Sequence, residues 1–303
     1  MNINRLSWDD LRVFLAVARM GNFSRAGRSL GMDHATIGRR ISALEFALET
    51  PLFERDRSGC SLNAQGREMR LHVEAMEANL LTLADSLEHG NPGPTGHVRI
   101  ATMEGIASLY LSERFARLKH IQPGISIELV TSANDIRISH READIFLSFF
   151  EPRGGNLEVS RIGRVALRLY ASSEYLARSG TPDSIEALRH HSFVGYIDDL
   201  IQLDAVRWLD EVITDPAIEF YSSSMLAQMF AATAGAGIVM LPVFARPERF
   251  GLEPVLRDAI QVHRDVWVTT HQYLRRVPRI KVVVGFLEET FGLDFPCQGQ
   301  RTQ

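Results

Sequence analysis

Asp33-His34-Ala35-Thr36-Ile37-Gly38-Arg39-Arg40-Ile41-Ser42-Ala43-Leu44-Glu45 has the pattern of a capped helix with two unlike faces. Ile37, Ile41 and Leu44 recur at i, i+4 and i+7, so they share a side that must meet a core. His34, Ala35, Gly38, Arg39 and Ser42 share another side, where every residue but Arg39 is small or a neutral hydrogen-bonder. A helix face meant for water usually carries Glu and Lys, whereas this one is built to approach another surface closely. Asp33 caps the first turn. Gly31 supports a tight turn out of an earlier helix that starts at Ser24 and points Ala26 and Leu30 inward. Two short helices joined by a glycine turn, the second with a bare basic face, form the helix-turn-helix arrangement suited to the DNA major groove.

The flanking sequence completes this unit. Ser7-Trp8-Asp9-Asp10 reads as a capping box opening a first helix, with Leu11, Phe14, Leu15 and Ala18 as its apolar stripe. Pro51-Leu52-Phe53-Glu54-Arg55-Asp56-Arg57-Ser58-Gly59-Cys60 sets apolar anchors before basic residues and a Ser-Gly turn, as expected of a hairpin wing along phosphates. Residues 1–66 hold 9 Arg against 7 Asp and Glu, and the rest of the chain holds 24 basic and 30 acidic groups. A net charge of −4 is therefore no obstacle to binding nucleic acid, because the local field at the basic end steers it.

Leu11, Phe14, Val17, Phe23-Ser24-Arg25-Ala26, Leu30-Gly31, Ile41, Leu44-Glu45, Pro51-Leu52-Phe53-Glu54-Arg55 and Leu62-Asn63-Ala64-Gln65-Gly66 resemble the amino-terminal part of the bacterial LysR-type transcriptional regulators. The resemblance implies a winged helix-turn-helix domain over residues 1–66 that binds double-stranded promoter DNA. It assigns base or phosphate contacts to His34, Ala35, Gly38, Arg39 and Arg55. Ser42, on the same helix face, and Arg57, in the wing, join them by position. The sequence departs from the family pattern at His34-Ala35, where Gln-Pro is usual, at Gly38, where Ser is usual, and at Gly27, where a second Ala is usual. The Gln and Ser base contacts therefore do not carry over. Arg39 carries over best, as a residue able to bond guanine bidentately.

At 303 residues the chain suits two or three units, each with enough apolar content for a core. Its two cysteines, Cys60 and Cys297, are far apart and lack metal-ligand spacing, which suits a reducing cytoplasm. The amino terminus shows no secretory signal. Between Phe220 and Arg246 no charge intervenes, a length that could span a membrane. Ser222-Ser223-Ser224 starts a helix there, Gly235-Ala236-Gly237 stops it, and Pro242 closes a short strand, so a buried helix and strand are expected instead.

After the wing, Asn63 can cap a helix that meets no proline until Pro92. Met69, Val73, Met76, Leu80, Leu83 and Leu87 step by 4, 3, 4, 3 and 4, a heptad seam for pairing two helices. The alternative is one amphipathic helix lying on its own domain. A reader of this kind needs a partner to reach two half-sites, so residues 67–89 are expected to form a dimerising linker helix in a homodimer or homotetramer. His89 to Gly96, rich in Gly and Pro, is then a hinge.

From residue 90 strands alternate with helices, which argues for an open α/β sheet. The order of pieces resembles the LysR effector domain, itself similar to periplasmic solute-binding proteins. The resemblance implies two α/β subdomains, about 97–161 with 268–303 and about 162–267, joined by crossing strands near 160–168 and 266–271. Ligands of such sheets bind at the carboxyl ends of strands. That rule nominates Thr102, Met103, Glu104, Thr131, Ser132 and Phe149, then Ser222 and Ser223 with the helix start at Ser224, and Thr270 and His271 after the return strand, for a small-molecule effector. Glu104 favours a neutral or cationic effector if it points inward, and carries no such meaning if it caps the following helix.

No catalytic constellation or cofactor motif is evident: the chain has no phosphate loop, nucleophile elbow or His-Glu-x-x-His. His190 and His191 are adjacent and diverge by about 100° on a helix, so they cannot chelate one metal together. Cys60, near Arg57, is either a redox-sensitive thiol or a passive wing residue. The expectation is a non-enzymatic, ligand-responsive DNA-binding regulator that touches RNA polymerase if it activates. Its rivals are a constitutive regulator whose second domain only oligomerises and an α/β enzyme with an appended helix-turn-helix.

Overall fold

The computed structural model describes residues 6–56, 59–88, 94–132, 143–154, 157–200, 206–272 and 274–297. The chain divides into two units, Met1–Pro92 with Tyr273–Val277 and Gly93–Gln272 with Pro278–Gln303.

The first unit is built from α1 (Trp8–Met20), α2 (Phe23–Leu30), α3 (His34–Leu48), a hairpin of β1 (Phe53–Asp56) and β2 (Gly59–Leu62), and α4 (Ala64–Glu88). Ser7 caps α1 by accepting from the Asp9 N–H at 3.2 Å. The capping box is only half formed, because the Asp10 carboxylate accepts from Arg40 on α3 (3.0 Å) instead. The second helix begins one residue earlier than expected. Asn22 caps it, accepting from the N–H groups of Ser24 and Arg25 at 2.8 and 3.1 Å. This lets Phe23 enter the core beside Ala26. Gly31 closes α2 at φ +66°. A methyl group on Gly27 would lie 2.5 Å from the Met32 carbonyl oxygen, which explains glycine where the family pattern leads one to expect alanine.

α3 runs one turn past Glu45, to Leu48. Glu45 turns back and accepts from the N–H groups of Leu52 and Phe53 at 2.7 and 3.2 Å, tying the helix to the wing. Phe14, Val17, Ala26, Ile37, Ile41, Leu44 and Leu52 form the core, and the Phe14 and Phe53 rings meet at 5.5 Å. A methyl on Gly66 would sit 2.2 Å from the Leu52 carbonyl oxygen. α4 therefore begins in backbone contact with the approach to the wing.

The second unit carries a nine-stranded mixed sheet in the order β4-β3-β5-β11-β6-β9-β7-β8, with β10 pairing β6 off that path. Its elements are β3 (Gly96–Met103), α5 (Glu104–Ile106), a π-turn (Ala107–Leu111), α6 (Ser112–Ile121), β4 (Ile125–Ser132), β5 (Ile145–Ser148), β6 (Leu157–Ser172) and α7 (Ser173–Ser179). After these come β7 (Ser192–Gly195), β8 (Ala217–Tyr221), α8 (Met225–Thr233), β9 (Ile238–Pro242), β10 (Leu252–Val255), β11 (Val262–His271) and α9 (Pro278–Asp294). The apolar run after Phe220 resolves into α8 and β9, and no helix among the described residues is long and apolar enough to cross a membrane.

β6 and β11 are antiparallel along all ten residues of β11, with a register shift at Val266/Trp267. β5 joins β11 at Trp267–Thr270, and β9 joins β6 at Leu167–Tyr170. The two long strands therefore cross between one half made by β3, β4 and β5 and another made by β7, β8 and β9. Neither β7 nor β10 was expected from the sequence, and β6 begins earlier than the anticipated start of the crossing strand.

Candidate functional site

The recognition helix presents the anticipated face. Asp33 caps it, accepting from the Thr36 N–H and hydroxyl at 2.8 Å each, and those bonds hold its carboxyl below the usual aspartate range. Ile37, Ile41 and Leu44 are buried; His34, Ala35, Arg39 and Ser42 are exposed, and Gly38 is half-exposed with nothing within 4 Å of a methyl placed on it. Of the two adjacent arginines, Arg40 is spent on Asp10. Arg39 faces solvent, braced by a bond from its Nη2 to the Thr36 hydroxyl (3.0 Å). The backbone of Arg55 lies opposite Cys60 in the hairpin, and Arg57 falls outside the described residues. Cys60 is half-buried and packs against the core.

The heptad seam divides in two. Val73 is buried in the core of its own unit and Met69 packs against that core, so Val73 is not available to a second helix. The reason is the backbone contact at Gly66, which lays the first turns of α4 on the helix-turn-helix. Met76, Leu80 and Leu83 are 46%, 43% and 52% exposed, and the side chain of Leu87 falls outside the described ones. Opposite the open residues, Glu74 is fully buried between Arg70 (2.9 Å) and Arg19 of α1 (3.9 Å), and Arg19 also pairs with Glu77.

In the second unit, the carboxyl ends of β3 and β5 face those of β7, β8 and β9 across the crossing strands. Glu104 opens α5, and its carboxylate accepts from the Ser224 hydroxyl at 2.9 and 3.2 Å. Ser224 in turn caps α8 by accepting from the Ala227 N–H at 3.1 Å. Gly105 lies against Met225, where a methyl would come within 2.3 Å of the sulfur. Beside this junction Phe149 stacks on Phe244 (6.2 Å) and meets the Trp208 edge (6.0 Å), and Trp208 meets Tyr196 at 5.8 Å. Tyr196 also lines a small cavity with Asp198, Arg207, Trp208 and Gln228.

Two family models match the chain. The LysR substrate binding domain covers residues 91–292, and the bacterial regulatory helix-turn-helix protein, lysR family, covers residues 8–67. The chain belongs to the LysR family. It is 25% identical over 286 residues, 94% of this chain and 97% of the relative, to the Mau operon transcriptional activator of Paracoccus denitrificans. Its fold matches CrgA, a LysR-type regulator from Neisseria meningitidis, with a TM-score of 0.57 at 24% identity over 95% of this chain and 99% of that one. A full-length OxyR from Pseudomonas aeruginosa matches at 0.71 and 15% identity over 98% and 99%. The chain is thus a LysR-type transcriptional regulator with a helix-turn-helix head and a substrate-binding domain.

Within this LysR effector domain, the nominated residues fall into three groups. Glu104 and Ser222 meet at Ser224, with Met103 and Ser223 as their chain neighbours, and Phe149 lies against Trp208 and Phe244. Thr102 is beside them, but it is buried and its hydroxyl donates to the Leu147 carbonyl at 3.1 Å. Ser222 accepts from the Ser224 N–H at 3.1 Å. Thr131 stands exposed on the edge strand, and the Ser132 side chain lies outside the described ones. Thr270 and His271 are elsewhere, opposite Ile145 and Leu157. β11 is antiparallel to β5, so its carboxyl end lies at the far end of the sheet, and the carboxyl-end rule picked the wrong end for this strand. Tyr196, Trp208 and Phe244 were not anticipated. An aromatic beside a glycine, Gly195-Tyr196, was the one local sign.

Proposed function

We propose that this regulator reads promoter DNA with His34, Ala35, Gly38, Arg39 and Ser42 in the major groove and Arg55 and Arg57 along the backbone. It works in the cytoplasm as a homodimer or homotetramer paired through Met76, Leu80 and Leu83, and it has no catalytic function. A small effector binds among Met103, Glu104, Tyr196, Ser222 and Ser223 and shifts the balance between two arrangements of the paired heads. RNA polymerase is a further partner if it activates. The observation that supports this reading is the exposed, acid-free face of α3, whose one outward cation, Arg39, is held straight by Thr36.

Arg39→Ala is expected to weaken binding to a selected target site by about 1–3 kcal/mol and leave binding to scrambled DNA little changed. Arg55→Ala is expected to lower affinity for both DNAs and to flatten its salt dependence. Fluorescence anisotropy across a salt series separates the two. Unchanged target affinity in Arg39→Ala would sink the base-reading role. Gly38→Ala provides a second check, since the open space at that position lets the added methyl stabilise α3 by about 0.5–1 kcal/mol. Stability should therefore rise while target affinity falls if the backbone there closes on the DNA. A rise in both would show that α3 docks elsewhere.

A further inference from the structure

At the junction between α5 and α8 stands a carboxylate, Glu104, to which no described residue supplies a counter-charge. Glu104 is half-buried, makes no ion pair among the described residues, and has the Ser224 hydroxyl as its hydrogen-bond donor. The amino terminus of α8, which would otherwise suit an anionic ligand, is already furnished by the chain itself. The Ser224 N–H donates to Ser222, the Ala227 N–H donates to Ser224, and the Glu104 carboxylate sits on the same hydroxyl. A carboxylate or phosphate arriving here would meet like charge in a partly desolvated cleft. The Ser222 N–H donates to the Gly195 carbonyl at 3.0 Å, which brings the next residue, Tyr196, to the same junction, its ring backed by Trp208 and then Phe149. Burial, and secondarily the nearby Glu104 charge, push the Tyr196 hydroxyl well above its usual range. A carboxylate beside a neutral aromatic ring is the arrangement that recognises ammonium groups.

We propose that the effector is a small organic cation, its ammonium or amidinium group held by Glu104 against Tyr196. This rests on the reading of the cleft as the effector site and adds the ligand's charge class.

The test is calorimetric titration of the full-length protein at constant ionic strength with matched probes: benzylammonium and tetramethylammonium, benzoate and acetate, and benzyl alcohol. The expected result is saturable binding of a cationic probe, weakened about tenfold or more in Glu104→Gln and largely kept in Ser224→Ala. Benzoate or acetate binding at this cleft, with the ammonium probes silent, would overturn the cation class while leaving the effector reading intact. Equal loss in Glu104→Gln and Ser224→Ala would show that the pair matters as a latch and not as a charge, and would overturn the assignment of Glu104. If no probe of any charge binds at millimolar concentration, both this proposal and the effector reading fall together.

Discussion

Asp294→Ala is expected to cost the second unit about 3 kcal/mol. Asp294 ends α9 and accepts from Arg114 on α6 at 2.6 Å and from the Tyr110 hydroxyl at 2.8 Å. Arg114 is only 6% exposed. Its Nη1 donates to the Tyr110 carbonyl at 3.1 Å, and its guanidinium lies 3.6 Å above the Tyr110 ring. Removing the carboxylate leaves that cation buried with, among the described residues, only the exposed Glu113, 3.9 Å away, to offset it. Asp294 itself is 40% exposed, which places the effect at the low end for a broken buried pair. Arg114→Met added to Asp294→Ala should recover part of the loss, because no cation then remains to be compensated. Burial works against the charge of Asp294, but bonds from Arg114 and Tyr110 outweigh it and hold the carboxyl below its usual range. This stabilisation is present above the unfolded aspartate pKa of about 3.9 and is lost as pH falls through the depressed value. Urea melts of wild type and variant should therefore differ at neutral pH and converge in strong acid. A neutral-pH difference below about 0.5 kcal/mol would refute the account.

Glu74→Ala should cost the first unit a similar amount, about 3 kcal/mol, by opening a cavity and stripping Arg70 of its partner. The interaction differs in sign from that of Asp294. Burial pushes the Glu74 carboxyl up, and the pull of Arg70 and Arg19 does not fully reverse it. A raised carboxyl contributes stability that is complete below the unfolded glutamate pKa and fades as pH rises through the raised one. Glu74→Gln, which keeps the volume and a hydrogen-bonding head, should thus be much milder than Glu74→Ala. Hydrogen exchange in α1 and α4 reads this directly: amides of both helices should lose protection in Glu74→Ala and keep it in Glu74→Gln. Equal losses in the two variants would mean that the charge, and not the packing, holds α4 to α1.

The head was legible because its signals are local. Asp33, Gly31 and the Ile37, Ile41 and Leu44 stripe each act within a few residues, and the structure uses them as the spacing implies. What escaped were choices among long-range partners. Asp10 could close a capping box or meet Arg40, and packing of α3 on α1 decides for Arg40. Val73 fits a heptad seam and equally a core, and the close approach at Gly66 commits it to the core. In the second unit, β7 and β10 are four-residue strands without alternation, too short for periodicity to register. Thr270 and His271 were misplaced because strand direction is a property of the sheet. The Tyr196, Trp208 and Phe244 wall comes from separate connections that only the crossing of β6 and β11 brings together.

That crossing also dictates the order in which a nascent chain can fold. The helix-turn-helix is continuous in sequence and can close once α4 has left the ribosome. β3, β4 and β5 cannot: their neighbour in the sheet is β11, and α9, which packs on β3 and β6, comes later still. The first half of the effector domain must wait, exposed, until nearly the whole chain is synthesised. A ribosome that stops short of β11 is expected to release a folded helix-turn-helix head joined to an unfinished substrate-binding domain, so on the function proposed above a truncated product would still occupy promoters while being deaf to the effector.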